Sequence, residues 1–326
     1  MAQALLNDKI ALVTGATRGL GKGIATGLGE AGATVYITGR TATPSTTADI
    51  GGSLLETQAA VERAGGRCIS IQVDHGDDDQ VQALFDRIQS EQGHLDILIN
   101  NVYGGVNALR TSSGKPFWQS EASLWDACNQ VGLRSHYVAS LLAARMMTQR
   151  QQGLICTVSS WGGLMPLFGV AYGAGKTACD RMAADMAREL KPYHVASIPL
   201  WPGIVGTEQI SKFADEMAAE PAPDPRMGVI QDRFNWETPL LTGRVAAAIA
   251  SDPAVHQRTG RVHIVAEWAK HYGLADQAGN LPVSLRSLRF ALPAGIPALR
   301  AHTQWIPDWR VPWPLLLWTA LAAPKI

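Results

Sequence analysis

Short apolar runs alternate with helical stretches along the first 200 residues. Ile10–Val13, Ala33–Thr38, Cys68–Asp74, Leu95–Ile99, Leu154–Val158 and Val195–Leu200 are each four to seven residues long and rich in Ile, Val, Leu or Cys. Runs of that length, separated by helix-length segments, predict strands alternating with helices. Repeated strand–helix alternation from residue 9 to 203 gives a parallel sheet covered by helices on both faces. A last strand is expected at Thr259–Glu267, beyond an inserted stretch, Glu208–Leu241.

The polar residues cluster at the carboxyl ends of these runs, where open parallel sheets bind ligands. After Ile10–Val13 comes Thr14-Gly15-Ala16-Thr17-Arg18-Gly19-Leu20-Gly21, then a helix-like stretch through Gly32. Strand, glycine-rich turn and helix form the opening unit of a dinucleotide-binding fold. Gly15 permits the tight turn, and Gly19 and Gly21 let backbone approach a pyrophosphate at the helix N-terminus. The next strand ends in Gly39-Arg40, and no Asp or Glu lies between Glu30 and Asp49 to take a ribose 2′-hydroxyl. Arg40 and Arg18 instead offer cations to a 2′-phosphate, which favours NADP(H) over NAD(H). Asp74, Asn100-Asn101 and Ser159-Ser160 close three further strands; Asp74 is placed to reach the adenine edge.

Tyr172 and Lys176 stand four apart in Tyr-Gly-Ala-Gly-Lys, a spacing that puts both on one face of a helix. A fixed ammonium favours the ionised form of a nearby phenol and makes a tyrosine usable as a general acid or base.

Together, the glycine turn, Asn100-Asn101, Ser159-Ser160, the Tyr172–Lys176 segment and Pro202-Gly203-Ile204-Val205-Gly206-Thr207 resemble the short-chain dehydrogenase/reductase family. The resemblance covers residues 8 to about 267. Longer phrases, among them Tyr36–Arg40, Asn129–Tyr137 and Leu200–Val205, resemble one branch of it. The resemblance implies a Rossmann-type doubly wound parallel sheet of order 3-2-1-4-5-6-7. It also implies hydride transfer from NADPH to a carbonyl carbon, with Tyr172 protonating the alkoxide. Lys176 would lower the pKa of that phenol and bind the nicotinamide ribose, and a serine hydroxyl would hold the carbonyl oxygen. Alignment by strand selects Ser160 and spacing from Tyr172 selects Ser159; only one of two neighbours on a strand can face the cofactor. Asn129 would hold a water in a proton relay to the lysine. Pro202, Gly203, Val205 and Thr207 would close over the nicotinamide, and Thr17, Leu20 and Asn101 complete the implied cofactor contacts. Homo-oligomers pairing through the helices carrying Asn129 and Tyr172 are the family expectation.

Two departures stand out. Tyr103 occupies the family's N-N-A-G turn, which sets a bulky ring beside the cofactor and over the substrate. The final strand lacks its usual glycine ending, and the chain runs 59 residues further. Residues 1–267 are therefore read as the Rossmann domain and 268–326 as an extension. Glu208–Leu241, with Pro221-Ala222-Pro223-Asp224-Pro225, Phe234 and Trp236, is read as a substrate lid. The 105–120 loop, with Leu109, Phe117 and Trp118, forms the opposite wall. Both walls are apolar, which suits a lipophilic ketone or aldehyde, steroid-like compounds included.

The tail places Trp305, Trp309, Trp313 and Trp318 among Pro307, Pro312 and Pro314, before an apolar run, Leu315–Ala323. That run has nine residues against the roughly 20 needed to span a bilayer. Two readings stay open: peripheral contact with a membrane surface, or folding back onto the domain or a second subunit. With 28 basic and 28 acidic residues, nothing suggests a nucleic-acid partner. Cys68, Cys128, Cys156 and Cys179 are scattered singly, which fits neither a metal site nor a disulfide framework. The first strand begins within ten residues of Met1, leaving no room for a signal or transit peptide, so a cytoplasmic location is expected. The competing functional reading is a cofactor-binding sensor or membrane-recruited scaffold without turnover; reaction direction is not written in the residues.

Overall fold

The computed structural model describes residues 5–45, 50–218 and 228–321. Its strands are β1 (Ile10–Val13), β2 (Thr34–Gly39), β3 (Arg67–Gln72), β4 (Ile97–Asn100), β5 (Gly153–Val158), β6 (Val195–Trp201), β7 (Ile204–Val205), β8 (Trp236–Glu237) and β9 (His263–Ile264). The helices are α1 (Gly19–Glu30), α2 (Leu54–Arg63), α3 (Asp78–Gln92), α4 (Val106–Ser112), α5 (Ser123–Asn129), α6 (Ser135–Arg150) and α7 (Val170–Leu190). After β7 come α8 (Glu208–Ala218), α9 (Gly228–Gln231), α10 (Pro239–Ser251), α11 (Val265–Tyr272), α12 (Leu288–Gly295) and α13 (Trp313–Leu321).

Seven strands form one parallel sheet in the order β3-β2-β1-β4-β5-β6-β9, the doubly wound topology expected. Side chains alternate between faces along each strand. Ala11 and Val13 therefore join a core with Ile24 and Leu28 of α1 and Leu241 and Val245 of α10. Ile10 and Leu12 join a second core with Leu84 and Ile88 of α3 and Leu142 and Met147 of α6. The strand order reverses between β1 and β4, and a crevice opens above their carboxyl ends. β7 and β8 make a separate two-stranded parallel ladder beside the end of β6.

Three expectations are corrected. The last strand is not Thr259–Glu267: only His263–Ile264 pair with Leu200 and Trp201, and Val265 starts α11. Val265, Ala266 and Ala269 recur at helical spacing and turn inward as an amphipathic helix does. The 105–120 segment is not simply a loop, since it holds α4 and a 3₁₀ turn at Phe117–Gln119. The Glu208–Leu241 insertion ends earlier than expected: Pro239 opens α10, whose N-cap Thr238 accepts from the Leu241 amide. Pro221–Pro225 lie outside the described residues.

The chain after α11 is stitched back onto the sheet end. Glu267 pairs with Arg286 at 2.5 Å and Arg310 at 3.3 Å and accepts from Ser284. The Arg286 guanidinium covers the Trp313 ring, which packs edge-on against Trp201 of β6. Folding back is thus observed for Trp313, while Trp305, Trp309 and Trp318 are 81%, 70% and 65% exposed. No helix among the described residues is long and apolar enough to cross a membrane. The four cysteines are all buried and unbridged.

Candidate active site

The crevice is built from the ends of β1 and β4. Thr14 Oγ1 accepts from the Asn101 and Val102 amides at 3.0 and 3.1 Å and donates to the Ile99 carbonyl at 3.2 Å. Asn101 Nδ2 donates to the carbonyls of Thr14 and Gly15 at 2.9 and 3.0 Å. These bonds hold the turn that follows β1. Gly15 sits at φ +67°, and a Cβ there would fall 2.6 Å from Val102 Cα; only glycine fits such a position without strain. A Cβ on Gly21 would fall 2.4 Å from the Gly15 carbonyl, so backbone lies open at the α1 N-terminus where an anion is favoured. Leu20 packs partly on the α1 core, and Thr17 Cγ2 lies against Gly39 at the end of β2.

The two arginines play different parts. Arg40 is exposed and borders an open cleft of about 420 Å³ with Gln72, Asp74 and Gln80. Its guanidinium has no partner among the described residues, whereas Arg18 Nη1 is committed to the Ile50 carbonyl at 2.5 Å. Asp74 Oδ1 accepts from the Gly76 amide at 2.9 Å, and the Asp74 amide donates to Gln80. His75 follows it, a residue the sequence gave no reason to single out. Its Nε2 lies 2.7 Å from Thr38 Oγ1, and burial pulls the imidazole down to about 4.

At the carboxyl end of β5 the two serines diverge. Ser160 Oγ lies 2.8 Å from the Tyr172 hydroxyl and accepts from the Gly162 amide at 3.0 Å. Ser159 Oγ is buried and donates to the Lys176 carbonyl at 3.2 Å. Tyr172 and Lys176 are one turn apart on α7. Lys176 Nζ donates to the Val158 carbonyl at 3.0 Å and lies 5.8 Å from the Tyr172 ring centroid. Asn129 ends α5, just before a kink at Gln130–Arg134 in which Val131 and Gly132 leave helical geometry and Gly132 takes φ +145°. Asn129 Nδ2 donates to the Trp125 and Ala171 carbonyls, while its buried Oδ1 has no partner among the described residues.

Tyr103 does not project over the substrate as expected. Its ring turns inward against Gly132, where a Cβ would fall 2.6 Å from its Cδ2. The ring stands edge-on to Tyr172 at 5.8 Å and under the Lys176 ammonium at 5.1 Å. Burial, with Cys128 beside its hydroxyl, pushes the Tyr103 phenol far up and keeps it neutral. Behind Lys176, Asp180 accepts from Trp201 Nε1 at 2.9 Å, and burial raises its carboxyl to about 6. Neither Asp180 nor the buried Glu237 was visible in the sequence, since neither belongs to a motif.

Around Tyr172 the surface is apolar. Phe168 meets its ring edge-on at 5.3 Å, and Met165 and Val170 beside it are exposed. Phe117 and Trp118 are exposed and stacked edge-to-face, with Leu109 half-buried on α4. An Arg110–Glu216 ion pair at 2.6 Å links α4 to α8. The described part of the insertion also packs on α12 through Phe234 and Phe290, stacked at 6.0 Å.

A nicotinamide-dinucleotide crevice above β1 and β4, with serine, tyrosine, lysine and asparagine at its rim, matches the short chain dehydrogenase family, whose model covers residues 9–218. The chain belongs to that family of oxidoreductases acting on CH–OH and C=O groups. It is 42% identical to mouse "Dehydrogenase/reductase SDR family member 1" over 292 residues, 89% of this chain and 90% of that one. With the human protein of the same name it shares 39% identity over 322 residues, 97% of this chain and 99% of that one. Among solved structures, a metagenomic short-chain oxidoreductase in complex with NADP is similar at TM-score 0.61 and 25% identity, covering 80% of this chain and 97% of that one.

Proposed function

We propose that this chain is an NADP(H)-dependent carbonyl reductase and alcohol dehydrogenase of lipophilic ketones or aldehydes. The observation that carries the reading is the 2.8 Å contact between Ser160 Oγ and the Tyr172 hydroxyl at the end of β5. Both hydroxyls converge where a carbonyl oxygen can accept from each, one serving as a fixed donor and the other as general acid. Ser159 cannot share that task, because its hydroxyl is turned into α7. Bound NADPH supplies the hydride. The open turn at Gly15, Gly19 and Gly21 receives the pyrophosphate, and Lys176 is in reach of the same rim. Asn129 Oδ1, with no partner among the described residues, is the acceptor a relay water requires. The apolar surroundings of Tyr172, including Phe168, Met165 and Val170, favour a lipophilic substrate. We place residues 1–267 as the catalytic unit, with the described residues of the 268–326 extension docked on it and α8 as part of the lid.

Arg40 is the residue we assign to the adenosine 2′-phosphate, a reading supported by its lack of a partner among the described residues and by the relative solved with NADP. Arg40→Ala is expected to weaken NADPH binding by about tenfold or more, the worth of a charge-assisted bond, and to leave NADH binding nearly unchanged. Titration of cofactor fluorescence measures both; equal losses for the two cofactors would remove Arg40 from this role. The enzyme reading itself is tested by mixing the protein with NADPH and a panel of lipophilic ketones while following reduced-nicotinamide absorbance. Cofactor binding with no turnover across the panel would favour the sensor reading instead.

A further inference from the structure

Glu237 is a carboxylic acid in an unusual place. It is 2% exposed on the short strand β8, and its Oε2 has no hydrogen-bond partner among the described residues. The other oxygen, Oε1, faces the Gly203 backbone: the nearby amide draws the acidity of the carboxyl toward its ordinary range, and a Cβ added on Gly203 would fall 2.6 Å from Oε1. The same residue pairs with Val205 in the β7–β8 ladder, and its carbonyl accepts from the Gly206 amide at 2.9 Å. One glutamate thus ties down residues 203, 205 and 206. The segment continues into Thr207, whose Cγ2 lies 3.3 Å from the place a Cβ would occupy on Gly19 of the phosphate-binding turn. The segment thus ends against that turn at Thr207.

We propose that the buried carboxyl of Glu237 is a positioning group for the nicotinamide side of the cofactor, holding the Gly203–Thr207 segment in place through its close contact with the Gly203 backbone. The inference rests on the NADP(H) reading above and adds a residue outside every recognised motif. Burial pushes the carboxyl up to about 7, against the pull of the Gly203 amide, and no charged side chain contributes. The charged groups on neighbouring elements are Glu208 and Lys212 on α8, Arg233 and Asp232 ahead of β8, and Arg244 on α10. Of these, Arg233 is held by Asp215 and stacks on Trp236, Asp232 is held by Arg300, and Arg244 is held by Glu30. A neutral Glu237 tolerates an unpartnered oxygen, whereas an ionised one must draw in water and loosen the segment. Between an unfolded value near 4.5 and the folded value near 7, the folded chain keeps a proton that the unfolded chain has lost. Stability is therefore fully present below 4.5 and falls as pH rises through that window.

Three proteins test this: wild type, Glu237→Gln, which keeps the acceptor but cannot ionise, and Glu237→Leu, which has no acceptor. NADPH affinity of wild type is expected to drop about tenfold from pH 6 to pH 8, while Glu237→Gln stays flat. Glu237→Leu is expected to bind NADPH about tenfold more weakly at both pH values, yet to bind 2′-phospho-ADP-ribose, which lacks the nicotinamide, as wild type does. Equal losses for both ligands, or wild-type NADPH affinity in a folded Glu237→Leu, would overturn the positioning role. So would a Glu237→Gln protein whose affinity follows the wild-type pH dependence. If wild type bound no NADPH at any pH, the cofactor reading would fail instead. Thermal stability without ligand judges the carboxyl separately: Glu237→Gln should gain on wild type as pH rises from 5 to 8, and a constant difference would contradict a buried neutral acid.

Discussion

Tyr172→Phe is expected to cut NADPH-dependent ketone reduction about 10³-fold, the scale of a lost general acid, with little change in NADPH affinity or thermal stability. The reason lies in what the substitution spares. The phenyl ring keeps its edge contacts with Tyr103 and Phe168, at 5.8 and 5.3 Å, so packing survives. Only the hydroxyl facing Ser160 is removed. Ser160→Ala should lose about 10² to 10³ in kcat by removing one donor to the developing oxyanion. Ser159→Ala should cost far less in kcat, because that hydroxyl serves the α7 backbone. Steady-state kinetics on the three variants check the assignment; a larger loss in Ser159→Ala than in Ser160→Ala would reverse it.

The second large effect is on folding. Gly27→Ala on an exposed helix would add about 1 kcal/mol of stability; here it is expected to cost about 3 kcal/mol. A Cβ on Gly27 would fall 2.3 Å from the Gly243 carbonyl carbon, and one on Gly23 would fall 2.2 Å from that of Pro239. In both cases the obstacle is the α10 backbone, which cannot rotate aside as a flexible side chain can. The same two helices are joined by the Glu30–Arg244 ion pair at 2.9 Å, so the strain is not relieved by sliding one past the other. Because α1 carries the phosphate-binding turn at its N-terminus, NADPH binding should weaken together with stability. Denaturant unfolding gives the size of the effect; a Gly27→Ala protein as stable as wild type would mean that α1 and α10 lie further apart than described.

The parts of this molecule written as local patterns were readable from the chain. Apolar runs gave the six strands from β1 to β6 to within a few residues, because burial on both faces demands continuous apolar side chains. Gly15 and Gly21 were readable because a tight turn and a close backbone approach admit little else. What escaped was set by distant packing. Of the strand expected at Thr259–Glu267 only His263–Ile264 pairs with the sheet, and Val265–Glu267 open α11, since Val265, Ala266 and Ala269 reach a helical core that the sequence does not announce. Tyr103 was noticed but aimed wrongly, because the space at Gly132 that receives its ring comes from a kink 29 residues away. Arg18 and Arg40 looked equivalent until the Ile50 carbonyl claimed one of them. Nothing in the sequence singles out Glu237 and Asp180, and only burial distinguishes them.

Isotope transfer puts the central claim to the most direct test. The protein is incubated with NADPH deuterated at both C4 positions and a panel of lipophilic ketones, and the products are analysed by mass spectrometry. Hydride transfer at this site predicts alcohols carrying one deuterium on the former carbonyl carbon, formed by wild type and lost in Tyr172→Phe. Tight NADPH binding with no deuterated alcohol from any ketone or aldehyde, or label transfer undiminished in Tyr172→Phe, would contradict it.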